Sequence, residues 1–102
     1  MEQRREFLIR RTDGSWFDIL PHEYADALRP NSVPSRPSPR SEGYGIEVEG
    51  CHVTFAYDEP GIRVVFEGGA LPDEVTRRIV LEVCANITSL TGQAGEVVPI
   101  AP

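Results

Sequence analysis

The sequence predicts an α+β fold in two layers: a mostly antiparallel sheet of about six strands with one long helix, 72–91, packed on one face. Three observations lead there. Residues 44–67 alternate apolar and polar side chains in three short runs separated by turn residues. Residues 72–91 instead repeat their apolar side chains at helical spacing. The chain has 102 residues, 40% of them apolar and 25% charged, which suits a single folded domain spanning 1–102. Folding at this length buries roughly 65% of the unfolded surface, enough for one modest core and too little for a deep enclosed site.

Residues 6–20 read as a hairpin. Phe7 to Arg11 and Ser15 to Ile19 flank Thr12-Asp13-Gly14, and Asp-Gly suits turn positions that need positive φ. The pattern leaves the buried face open, because Phe7, Ile9, Trp16 and Leu20 share one face while Leu8, Phe17 and Ile19 share the other. Pro21 fits a first helical position, so His22 to Leu28 is expected to make two short turns. Residues 29–43 contain four prolines, four serines and one apolar residue, the composition of a mobile, extended loop joining two halves of one sheet. Pro34 and Pro37 also have the PxxP spacing of a proline-rich ligand, a pattern of low specificity.

The meander at 44–67 is the most legible part. If Glu49-Gly50 is a two-residue turn, Val48 meets Cys51, Ile46 meets Val53 and Tyr44 meets Phe55. If 58–61 is a four-residue loop, Tyr57 meets Ile62, Phe55 meets Val64 and Val53 meets Phe66. Both turns put the same apolar face inward, and a slip of one residue would turn every one of those side chains outward. In the helix, Pro72, Asp73 and Glu74 suit the first turn and Gly92 the stop. Val75, Ile79, Val80, Val83, Cys84, Ile87 and Leu90 form its apolar half, to be laid across the meander, while Leu81 falls on the polar side. Val97 to Ile100 reads as a last strand, placed at an edge because Pro99 cannot donate.

Charge excludes some functions. The net charge is -6 and all ten basic residues are arginine. Residues 1–40 sum to +1 (seven Arg, six acids) and residues 41–102 to -7 (three Arg, ten acids). An acidic chain argues against nucleic-acid partners and for a cationic one approaching the C-terminal part. There is no signal-peptide core and no long apolar run, so the expected setting is the cytoplasm, without membrane contact. Cys51 and Cys84 make neither a disulfide framework nor a zinc pattern and read as buried hydrophobes. Phosphate-loop, dinucleotide and nucleophile-elbow patterns are absent, so no cofactor or metal is expected.

The same register yields one constellation. It sets Glu47 against His52 and His52 against Glu67, a row across three strands on the face away from the helix. The simpler reading is a cross-strand ion pair on a solvated face. The alternative is an acid–base set, with His52 as base or acid and Glu47 or Glu67 orienting it, in a small enzyme or ligand-binding domain that dimerises to wall off a pocket. A His plus two-carboxylate metal site is weaker, because no third imidazole or cysteine is near in sequence.

In size, acidity and compact α+β plan the chain resembles the small acidic immunity proteins with which bacteria neutralise co-encoded toxins. The resemblance implies a non-enzymatic protein-binding module that occludes a cationic toxin. Its implied contacts are Glu47, Glu49, Asp58, Glu59 and Glu67, with His52 among them. A structural subunit pairing through edge strands as a homodimer is the third option.

Overall fold

Backbone polar groups taken out of water need partners, and one continuous ladder supplies most of them here. The computed structural model describes residues 4–17, 19, 21–38, 44–57, 61–69 and 71–100. Its elements run β1 (Arg4–Arg11), a 3-10 turn (Pro21–Glu23), α1 (Tyr24–Ala27), β2 (Arg36–Pro37), β3 (Tyr44–Val48), β4 (Cys51–Tyr57), β5 (Gly61–Glu67), α2 (Asp73–Thr91) and β6 (Gly95–Ile100). The sheet has six strands in the order β2-β3-β4-β5-β1-β6, and every pairing is antiparallel. This is the α+β fold the alternation predicts.

The meander has the predicted register. Val48 pairs with Cys51, Ile46 with Val53 and Tyr44 with Phe55; across the next strand Phe55 pairs with Val64 and Val53 with Phe66. Glu49 and Gly50 form the first turn with φ of 47° and 81°, the two positive values a primed two-residue hairpin needs. Val48, Val53, Val64 and Phe66 are buried in one core with Ile79, Val80, Val83 and Ile87 of α2. The backbone of α2 comes closest to β6, β1 and α1, while Phe17, Ile19, Leu28 and Leu71 complete the same core.

The N-terminal hairpin does not form. A turn follows β1 as expected, with Gly14 at φ 79° donating its N–H to Arg11 O at 3.0 Å. Asp13 Oδ1 then accepts from the N–H and hydroxyl of Ser15 at 3.0 and 2.6 Å. The chain after that turn leaves the sheet: residues 15–17 and 19 are not strand. Both sides of β1 are taken by distant strands, which offer Phe7 and Ile9 the apolar partners Val64, Ile62 and Val97. Phe17 and Ile19 are buried anyway, Phe17 beside Gly95 and Cys84.

Two positions on α2 also depart from the helical wheel. Leu90 is exposed, whereas Thr76 is buried and donates its hydroxyl to Asp73 O at 2.8 Å. A helix of 19 residues is about 28 Å long, and strands of seven residues reach about 23 Å. The helix is therefore longer than the strands of the meander.

The proline-rich segment is extended at Arg36–Pro37, which pairs with Glu47 and Ile46 on the outer edge of β3. Residues 39–43 lie outside the described part. Prolines sit in both edge strands, Pro37 in β2 and Pro99 in β6, the positions where a missing donor is tolerated. No helix among the described residues is long and apolar enough to cross a membrane.

Candidate functional site on the uncovered sheet face

Strand alternation sends every second side chain away from α2, and among the described residues no element covers that face. The predicted row is present and longer than expected. Register neighbours run Arg36, Glu47, His52, Glu67 and Arg4 across five strands, alternating basic and acidic. Glu47 and His52 are half-buried and Glu67 is exposed. The next rows are less polar: Thr54, Val65, Glu6 and Ile100, then Ala56, Arg63, Leu8 and Val98. Arg63 reaches Glu6 at 2.9 Å beside Val65, and Arg10 closes on Glu96 at 2.8 Å at the far rim.

His52 is held between two neighbours. Its Nδ1 lies 3.5 Å from Ser38 Oγ, and its Nε2 lies 4.0 Å from Glu47 Oε2. The Glu47 carboxylate is itself engaged by the Arg36 guanidinium, whose Nε is 2.8 Å from Oε1. At 4.0 Å the imidazole and carboxylate make an ion pair when His52 is protonated, but not the short hydrogen bond a catalytic dyad uses. Arg36 and Ser38 are the members that sequence reasoning missed. They come from a segment without periodicity, and only the β2–β3 pairing shows that they reach the row.

Turn geometry gathers acids at one end of the sheet. Glu49 projects from the β3–β4 turn, and the Gly68-Gly69 link after Glu67 folds against it, with a Cβ built on Gly69 only 3.0 Å from Cys51. Asp73 and Glu74 follow at the start of α2, and Arg5 bridges from β1 to Asp73. Five acids (Glu47, Glu49, Glu67, Asp73, Glu74) and three arginines (Arg4, Arg5, Arg36) lie toward this end, with Arg77 and Arg78 beside Asp73 and Glu74 on α2. A shallow groove of about 380 Å³ runs beside the row, lined by Pro34, Ser35, Arg36, Glu47, Glu49 and Gly50.

Four of the six predicted contacts lie among the described residues. Glu47, Glu49, His52 and Glu67 are together, whereas Asp58 and Glu59 lie outside the described residues.

Other chemistry is absent from the described part. No group of three or more His, Cys, Asp or Glu is placed to hold a metal ion among the described residues. Cys51 and Cys84 are buried free thiols, and burial pushes both pKa values up, the opposite of what a nucleophile needs. No protein-family model matches the chain, and no curated protein or solved structure is significantly similar to it.

Proposed function

We propose that the chain is a non-enzymatic protein-binding module that engages a cationic protein through the acidic end of its uncovered sheet face. One observation carries this reading. A six-stranded sheet has its core and helix on one face only, and the other face presents mixed rows, Val65, Leu8, Val98 and Ile100 around the Arg63–Glu6 ion pair, between two charged ones. Protein interfaces mix apolar and polar area in this way. The net charge of -6 favours cationic partners by steering their approach. Glu49 and Glu67 are exposed acids at the sheet's end of that patch, Asp73 and Glu74 are exposed at the start of α2, and Glu47 is half-buried under Arg36. Occlusion of a basic protein, as an immunity-type inhibitor performs it, is the form this binding takes.

Capture of proteins from the native cell on the immobilised chain tests the reading. Wild type is expected to retain a basic protein at low salt and release it at high salt. The Glu49→Arg, Glu67→Arg double variant is expected to lose it, and His52→Ala to keep it. Equal capture by the charge-reversed variant would sink the proposal, as would catalytic turnover that disappears with His52→Ala.

A further inference from the structure

A second surface, on the helix side and at the other edge of the sheet, has no part in that reading. β6 ends the strand order, so one side of its backbone has no strand against it among the described residues. Thr12 N–H donates to Ala94 O at 3.2 Å just before β6 begins, and antiparallel bonding recurs every second residue. Glu96, Val98 and Ile100 therefore turn their backbone groups toward Arg10, Leu8 and Glu6 of β1. Gly95, Val97 and Pro99 turn theirs outward. Pro99 sits where its missing N–H costs the sheet nothing, and it leaves Gly95 and Val97 as the usable part of the edge.

A groove of about 440 Å³ lies between this edge and α2, lined among others by Leu81, Ala85, Thr88, Gly95 and Val97. Leu81 is 52% exposed, the largest value for a large hydrophobic side chain among the described residues. α2 approaches β6 closely, so a strand added at the usual 4.8 Å would sit under its flank.

We propose that the edge of β6 pairs with β6 of a second copy, antiparallel about a two-fold axis at Val97. The pattern of donors is self-complementary in that register. Val97 exchanges two hydrogen bonds with the second copy's Val97, and each Gly95 N–H meets the other copy's Pro99 carbonyl. Pro99 has no N–H to return, so each Gly95 carbonyl stays open to water. Charge fits as well, although both molecules carry -6. Glu96 comes opposite Val98 of the other copy instead of a second Glu96, and its own Arg10 neutralises it at 2.8 Å. The α2 flanks that carry Leu81 and Ala85 then face each other across the two-fold axis. The product is a continuous twelve-stranded sheet that leaves the acidic end at Glu49 and Glu67 free on both copies.

Sedimentation equilibrium on the full chain, from low micromolar to submillimolar concentration, tests this together with exchange of the Val97 amide. Wild type is expected to approach twice 11.3 kDa, with Val97 exchange slowing as concentration rises. Leu81→Glu, an exposed helical position that tolerates the change, is expected to raise the dimer Kd at least about tenfold while keeping the urea midpoint. A wild-type monomer at every concentration overturns the proposal, including the case where only a foreign peptide fills the groove. A dimer indifferent to Leu81→Glu, with Val97 exchange independent of concentration, overturns it too. Neither result bears on capture of a basic partner, which reads a different surface.

Discussion

Glu49 shows how much a single position can be dictated by its neighbours. Its φ of 47° puts a side chain with a Cβ in the left-handed region, which glycine and asparagine occupy more cheaply. The register leaves no choice, because Val48 and Cys51 must face each other across two residues. Replacing Glu49 with Asn keeps the turn and removes strain, so the variant is expected to be more stable by about 0.5–1 kcal/mol. The urea midpoint reads this directly, and an unchanged or lower midpoint would show that the turn carries no strain. If Glu49 also contacts a cationic partner, the same variant binds it more weakly while folding better. His52 was legible for a related reason: its neighbours follow from parity alone. The reach of Arg36 to Glu47 was not, since nothing in a run of prolines and serines states which strand it will meet.

At the scale of elements, α2 shows what a local pattern decides and what it leaves to packing. Its start at Asp73 and its stop at Gly92, in the left-handed conformation with its N–H on Thr88 O, follow the sequence signals. Which residues are buried is left to tertiary packing, and Leu90 is exposed while Thr76 is buried. The polar flank of the helix fastens the proline-rich segment. Glu82 accepts the backbone N–H groups of Asn31 and Ser32 at 2.8 and 2.9 Å, and Asn86 donates to Arg29 O at 2.9 Å. Desolvation pushes the Glu82 pKa up, but the bonds from Ser32 and Asn31 and the charge of Arg78 outweigh it and hold the carboxyl below its ordinary value. A carboxyl lowered on folding stabilises the fold above its unfolded pKa, about 4.3, and that contribution is lost as pH falls through the lowered value. Because Glu82 is largely solvated, the contribution is small, about 0.5 kcal/mol. Urea midpoints across the acid range are expected to fall less steeply in Glu82→Gln than in wild type; parallel slopes would show that the latch is not titrating.

For the whole molecule, the decisive event is the insertion of β1 between β5 and β6, two strands far along the chain. It closes the core over Ile9 and Phe7 and buries Cys51 and Cys84, Cys84 at the floor of the β6–α2 groove. A thiol buried this way reacts only when the structure opens, and its raised pKa lowers the thiolate fraction further. Both cysteines are expected to react with a thiol reagent far more slowly than in the unfolded chain, at rates that climb with subdenaturing urea. Fast, urea-independent labelling would place them at the surface. Alternation and turn chemistry are local, so the sequence by itself determined the meander, its register, the row through His52 and the limits of the long helix. Tertiary structure alone decided the partners of β1 and the fate of the segment after Gly14, whereas the edge position of β6 was already signalled by Pro99. Those outcomes depend on contacts between residues more than fifty positions apart, where competing apolar surfaces decide and no short pattern records the winner.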